Sequence, residues 1–147
     1  MAAIRRADVI WSGPLATGSG SVSASTSSAF SDLPVTWASR TEAADGRTSP
    51  EELVAAAHAS CFAMALNGAV GRKGGAIAKT HITATVIADK GATGIKLTTS
   101  KLKVVAEGLQ GIAAGDFEAV AKEAESKCPI SNALRGTMQI EVQGSAK

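Results

Sequence analysis

Residues 53–66 carry no charge, and their apolar positions leave no polar stripe at helical spacing. Ala55, Ala56, Ala57, Ala59, Ala63 and Ala65 are mixed with larger apolar side chains, and only His58, Ser60 and Cys61 interrupt them. The start reads as a helix N-terminus. Ser49 is placed as N-cap, Pro50 takes the first helical position, and Glu52 follows Ser49 by three, the spacing of a capping box. Glycines at 68 and 71 mark the expected end. A helix apolar on every side is expected to be buried on every side, and its alanines admit close neighbours. This is the predicted central element, with a thiol midway along it.

On either side the period changes to two. Residues 4–11 predict a first strand, broken by Gly13-Pro14, and 18–26 a second, polar strand able to pair with it as a hairpin. A Ser-rich loop follows over 25–32. Residues 34–41 predict a short third strand, with Val35 and Trp37 on one face and Thr36, Ala38 and Arg40 on the other. The polar loop 42–47 turns at Asp45-Gly46. Beyond the helix, 73–75 is a link and 80–89 an alternating strand. Residues 91–94 form a turn. The long strand over 95–106 slips in phase, with Ile95 and Leu97 odd and Leu102 and Val104 even, which predicts a bulge near Ser100. Asp116 is expected to cap a second helix that runs to Lys127, with Phe117, Val120, Ala121 and Ala124 on one face. A helical turn follows Cys128-Pro129, and Met138, Ile140 and Val142 set a final strand. Strands, helix, strands, helix, strand with antiparallel hairpins is α+β rather than a βαβ repeat. The expected architecture is antiparallel sheets wrapped around a buried central helix, one domain over 1–147.

Charge adds little. A net +2 with 19% charged residues makes no case for nucleic acid or an anionic membrane. No continuous apolar run reaches the ~18 residues of a membrane span, and the first residues do not read as a signal peptide. The expectation is a soluble, cytoplasmic protein. In a reducing cytosol Cys61 and Cys128 are either two buried thiols or a redox couple, and both readings stay open on composition. With only His58 and His81 beside them and no CxxC, no closed zinc site is expected, and no glycine-rich phosphate loop is present.

The cysteines carry a family resemblance. TSPEELVAAAHASCFAMAL, residues 48–66, resembles the central-helix signature of the OsmC/Ohr family of thiol peroxidases, and KCPIS, residues 127–131, resembles its second-cysteine motif. HASCF and the preceding TWASRTE are closer to the OsmC branch. In the Ohr branch an arginine lies between the first two strands, whereas PLATGSG here has none and Arg40 takes the OsmC-branch position. The resemblance implies a peroxidase for organic hydroperoxides, built as an intertwined homodimer with sites at the subunit interface. It further implies regeneration by a dithiol of the lipoyl type and no metal or other cofactor. Cys61 matches the peroxidatic cysteine, Cys128 the resolving one, Arg40 the arginine and Glu51 its carboxylate partner.

The chemistry is consistent with that assignment. Attack on a peroxide needs a thiolate, an unperturbed thiol has a pKa of ~8.5, and burial raises it. Cys61 lies about three turns into its helix, beyond useful reach of the N-terminal dipole. A cation must come from elsewhere, and arginine stays charged when buried and offers a planar fork of donors. Arg47 is the rival to Arg40. Glu51 also suits the helix N-terminus electrostatically, and Glu52 serves the capping box. His58 is read as a hydrogen-bonded interior histidine in preference to a base for the thiol, and Lys127 as a solvated helix end. Phe62, Met64, Trp37 and Phe30, with Phe117, are candidate apolar lining for a substrate, although each alone is ordinary core material. A lipid or small-molecule binding protein and a redox sensor are the competing readings. A binding protein has no need of Cys61, Cys128, Arg40 and Glu51 together, and no DNA-binding helix pair or basic patch supports a sensor. Finally, ten residues of α-helix rise ~15 Å, so Glu51 is not expected to serve Cys61 of its own helix. Arg40 and Glu51 of one subunit are expected to serve Cys61 of the other.

Overall fold

The computed structural model describes residues 1–147. The chain comprises two compact units, Met1–Leu53 and Val54–Lys147.

The first unit is a three-stranded antiparallel sheet, β1 (Asp8–Ser12), β2 (Ser19–Ser23) and β3 (Leu33–Thr36), in that order. The hairpin forms as predicted, with Val9 opposite Val22. It is shorter than the apolar pattern suggested because β2 has only five residues to pair. Upstream, the Arg6 N–H donates to Thr26 Oγ1 instead (2.6 Å). The third strand is also short. Its expected second half is a helical turn, α1 (Trp37–Thr41). The reason is local. Thr36 is an N-cap whose Oγ1 accepts from the Ser39 N–H (3.1 Å), while Ser39 Oγ accepts from the Thr36 N–H (3.0 Å). This reciprocal box satisfies two donors that a strand would have spent on a ladder partner.

The central helix is α2 (Pro50–Arg72), 23 residues long. Ser49 Oγ accepts from the Glu52 N–H (3.2 Å) as expected, but the Glu52 carboxylate accepts from the Thr48 hydroxyl (2.7 Å), so only half of the capping box is made. By length and composition α2 would suffice to cross a bilayer, which the apolar run alone did not suggest. Its packing within the second unit is that of a core helix. Phe62, Leu66, Ala69 and Val70 join Leu102, Val104 and Ala106 in one apolar cluster. Burial on every side is not what the chain achieves, however. His58, Phe62, Leu66, Ala69 and Val70 are covered, while Ala56, Ala57, Ser60, Met64 and Asn67 are exposed, Met64 to 71%. The apolar pattern is continuous around the helix, but the chain supplies neighbours for one face.

The second unit builds its sheet from β4 (Ala76–Gly91), β5 (Gly94–Gln110) and β6 (Gln139–Ala146), in the order β4-β5-β6. β4 and β5 are antiparallel about the tight turn at 92–93. Ile87 pairs with Thr99 and Ala88 with Leu97, leaving Thr98 as the extra residue. That bulge, two residues before Ser100, moves the inward phase from Leu97 to Ser100, Leu102, Val104 and Ala106. β6 runs parallel to β5, because the chain between them crosses over through α3 (Phe117–Lys127) and α4 (Pro129–Leu134). Phe117, Val120, Ala121 and Ala124 are buried as predicted. Asp116 stands at the N-cap, but its side chain makes no capping bond, since a 3-10 turn over Ala114–Asp116 leads into the helix. Gly144 on β6 lets α3 lie close, for a Cβ there would sit 3.2 Å from Glu118 Cα and Ala121 Cβ.

Leu66 is fully buried on the covered face of α2. Leu66→Ala is expected to cost ~2–5 kcal/mol, measured by urea denaturation. A loss below ~1 kcal/mol, the scale of a surface substitution, would mean that this face is not the one packed in the core.

Candidate active site

Arg40 owes its position to the turn that replaced the end of the third strand. Ser39 Oγ donates to both Thr36 O and Thr48 O (2.9 Å each), and the Thr48 N–H donates to Pro34 O (2.9 Å). The loop 42–47 is thereby closed at its base, and the start of α2 comes beside α1. Arg40 Nε then donates to Glu51 Oε1 at 2.8 Å. The guanidinium lies 5.9 Å from the Trp37 ring centroid, a cation–π distance. Two features of this pair are unspent. Glu51 Oε2 is buried without a hydrogen-bond partner, and the pair engages Arg40 through Nε, leaving both terminal amino groups of the fork available. Arg47, the rival, instead pairs with Asp45 at the surface (2.8 Å).

The two thiols come together in the second unit. Cys61 is half-buried on α2, and Cys128, fully buried, is the residue between α3 and α4. Neither is in a disulfide. The Cys128 thiol and the backbone N–H of Ile130 both lie close enough to Cys61 to act on its ionisation. Burial pushes the Cys61 thiol above its ordinary range. The Ile130 N–H pulls it down, and Cys128 pushes it further up. No cation enters this balance, so the second unit alone does not make Cys61 a thiolate. Ile130 was invisible to motif reasoning because its contribution is a backbone amide.

His58 is fully buried, and both ring nitrogens are engaged: Nδ1 with Ser100 Oγ and Nε2 with Ser131 Oγ, each at 2.7 Å. A neutral imidazole meets that demand with one donor and one acceptor. The interior-histidine reading describes this geometry, and neither nitrogen is left for the thiol. The sequence did mark these serines. Ser100 holds an inward position of β5 and Ser131 closes the KCPIS motif, but neither meant anything until His58 stood between them. Lys127 is solvent-exposed.

The proposed lining residues are dispersed. Phe62 and Phe117 are fully buried and belong to the apolar cluster of the second unit. Met64 is exposed, Phe30 is 37% exposed, and Trp37 is half-buried beneath Arg40. The clefts of about 460, 370 and 180 Å³ are lined by other residues. No group of three or more His, Cys, Asp or Glu side chains converges as a metal site would require.

Burial lowers the His58 pKa from its ordinary 6.5, with Glu125 partly opposing. The folded state then binds fewer protons than the unfolded chain below that value. This contribution to stability is complete above pH 6.5 and is lost progressively as pH falls below it. Thermal denaturation at stepped pH is expected to show a falling Tm from pH 6.5 downward, and His58→Gln to flatten that slope. Equal slopes in both proteins would mean that the imidazole binds protons alike in the folded and unfolded chain, against the lowered value. Glu118 and Glu123 are held below the usual carboxylate value of 4.5 by hydrogen bonds from Lys122 and Lys73, so they act only at lower pH.

The family model for OsmC-like proteins matches residues 43–143. The peroxiredoxin OsmC of Escherichia coli (strain K12) is 35% identical over 133 residues, which cover 90% of this chain and 91% of that one. The organic hydroperoxide resistance protein OhrA of Bacillus subtilis (strain 168) is 32% identical over 114 residues, 76% of this chain and 77% of that one. Among solved structures, an organic hydroperoxide resistance protein from Elizabethkingia anophelis shares the fold with a TM-score of 0.74 at 22% identity over the whole of both chains. OhrB of Bacillus subtilis does so with a TM-score of 0.70 at 23% identity, covering 95% of this chain and 98% of that one. The α+β architecture, the paired cysteines and these likenesses agree, and the chain belongs to the OsmC-like family.

Proposed function

We propose that this protein is a thiol peroxidase that reduces organic hydroperoxides to alcohols through Cys61 and Cys128. The observation that carries the reading is the pair itself: a half-buried thiol on the central helix with a second, buried thiol beside it, both free. Cys61 Sγ attacks one peroxide oxygen and the O–O bond breaks. The alkoxide leaves and takes a proton to become the alcohol, and Cys61 becomes a sulfenic acid. Cys128 Sγ then attacks Cys61 Sγ. The S–O bond breaks, water departs with the Cys128 proton, and a disulfide remains. An external dithiol, of the lipoyl type, reopens it by exchange and is itself oxidised to a disulfide. None of these steps requires a metal or an organic cofactor.

The thiolate still needs its cation. Arg40 is the candidate, because its fork is held by Glu51 through Nε with its far end unspent. We assign Arg40 and Glu51 to the Cys61 of a second subunit in a homodimer. Two surfaces support a dimer. α2 leaves Ala57, Ser60 and Met64 uncovered on an apolar helix, and β1 exposes Val9, Ile10 and Trp11. Apolar faces of this kind are suited to a second copy of the chain. Met64, Trp37 and Phe30 are the side chains proposed to meet the substrate's apolar part. Each methylene of a substrate buried there contributes ~0.8 kcal/mol, which favours alkyl and lipid hydroperoxides over hydrogen peroxide.

Cys61→Ser is expected to abolish peroxide reduction, and Cys128→Ser to permit a single oxidation and then stop. Mass spectrometry after one peroxide equivalent should find a Cys61–Cys128 disulfide in the wild type. Rapid peroxide consumption with both thiols still free would sink the reading.

A mixing experiment tests the shared site. Cys61→Ser and Arg40→Ala dimers, each inactive, are combined under conditions that exchange subunits. Sites built from two chains place both lesions in one site of the heterodimer and leave the other intact, restoring up to half the wild-type activity per heterodimer. Sites built within one chain leave every site defective, so demonstrated exchange without recovered activity contradicts the assignment.

A further inference from the structure

Cys128 occupies a one-residue break between two helices. Its N–H donates to Glu125 O at the end of α3, and its carbonyl accepts the Asn132 N–H at the start of α4 (3.0 Å each). A single residue whose backbone is shared by two helix ends would be a natural place to fray. Three ties oppose that. Arg135, at the far end of α4, donates through Nη2 to the buried carboxylate of Glu125 on α3. Asn132 Nδ2 donates to Ser126 O (3.2 Å). From the interior, His58 on α2 holds Ser131 of α4, its ring braced on the other side by Ser100 of β5. Ser100, His58 and Ser131 are all fully buried, where a polar group left without its partner is costly. The consequence falls on the reaction. His58 and Cys61 share α2, three residues apart, and Ser131 and Cys128 share the α4 start, three residues apart. The bond between His58 and Ser131 therefore ties the two sulfur-bearing segments together one turn away from the sulfurs themselves.

We propose that His58, acting through Ser131 and seconded by the Glu125–Arg135 pair, is a positioning residue that keeps Cys128 poised beside Cys61 for disulfide formation. The inference rests on the peroxidase reading. Once Cys61 is a sulfenic acid, two fates compete. Cys128 displaces water from it to give the disulfide. Alternatively, a second hydroperoxide transfers an oxygen to give the sulfinic acid and a second molecule of alcohol. The first is intramolecular and its rate follows the local concentration of the Cys128 thiol at Cys61. The second rises with peroxide. Holding the α3–α4 break shut favours the first, whereas the initial attack, in which Cys128 forms no bond, feels the break only through the opposing effects of Cys128 and the Ile130 N–H on Cys61 ionisation. The clasp thus sets the peroxide concentration at which the enzyme inactivates itself.

The test separates the two steps. Each protein, with a dithiol reductant present, is exposed to a series of tert-butyl hydroperoxide concentrations. Mass spectrometry then gives the peroxide concentration at which half of Cys61 has become sulfinic acid, and stopped-flow gives the rate of the first oxidation. Ser131→Ala is expected to lower the half-inactivating concentration by about fivefold, the population change allowed by the loss of one hydrogen bond's net contribution, with a smaller change in the rate of the first oxidation. Ser100→Ala removes a buried bond of the same kind but leaves the tie to α4, so its shift should be smaller. His58→Gln, whose amide reaches toward Ser131, should recover most of what His58→Leu loses. Should Ser131→Ala fail to fold by circular dichroism, Arg135→Gln at the half-exposed end of the clasp gives the decision, with a shift in the same direction. Wild-type half-inactivating concentrations in Ser131→Ala and Arg135→Gln would overturn the inference, as would equal slowing of both steps. A wild-type protein that forms neither disulfide nor sulfinic acid would overturn the peroxidase reading, and this inference with it.

Discussion

A thiol set among alanines and phenylalanine ionises poorly, and the arrangement around Cys61 derives from that constraint. Burial raises its pKa, and the only local relief is one backbone N–H from Ile130. The second unit gives Cys61 a neighbour able to trap its oxidised form, yet it does not supply the charge that would make it react. The proposed source of that charge is Arg40, in the first unit, whose setting is built locally. A Thr36–Ser39 capping box turns the chain away from the sheet, and the turn presents Arg40 to Glu51. The carboxylate takes one nitrogen and leaves the fork open. A guanidinium held this way is charged, oriented and free at one end, which is what a thiolate or a departing alkoxide requires of a partner.

Much of this was legible in the residues. The start of α2, the Thr98 bulge two positions from its predicted place, and the buried face of α3 all followed from period and turn chemistry. The expectation that Cys61 and Cys128 work together came from motif resemblance and from neither thiol alone. The misreadings share a cause. Alternation over 34–41 looked like a strand because Trp37 and Ser39 keep a period of two, but two side-chain hydrogen bonds of the Thr36–Ser39 box outweighed it. The central helix looked buried all round because hydrophobicity records what a face tolerates and says nothing of what covers it. Asp116 looked like a cap because it precedes a helix, but its backbone already lies in a helical conformation, which leaves its side chain no cap to make. The parallel pairing of β6 was not foreseen, since strand polarity is set by the crossover through α3 and α4 and not by any residue within β6.

The serine-bound histidine shows the complementary limit. Composition placed His58 inside and near Cys61, but its partners lie 42 and 73 residues away. Only folding reveals that the three form one interior brace between α2, β5 and α4. Buried polar groups of this kind are costly unless every donor and acceptor is met. Here both ring nitrogens are met, so the brace contributes order at the place where two sulfurs must stay in register. Chemistry and architecture thus divide the labour in the proposed reaction: Arg40 and Glu51 are assigned to the reactivity of Cys61, and His58 and Ser131 to the fate of its oxidised form.

In the proposed reaction Cys61 attacks because Arg40 offsets the penalty of its burial. The most direct measurement is the ionisation of Cys61 itself, followed by thiolate ultraviolet absorbance as a function of pH in protein carrying Cys128→Ser, so that one thiol titrates. With Arg40 intact the midpoint is expected below the free-thiol value of ~8.5, and with Arg40→Ala above it, where burial alone would leave the group. The same midpoint in both proteins would rule out the role proposed for Arg40, because the cation that activates Cys61 would then have to be something else.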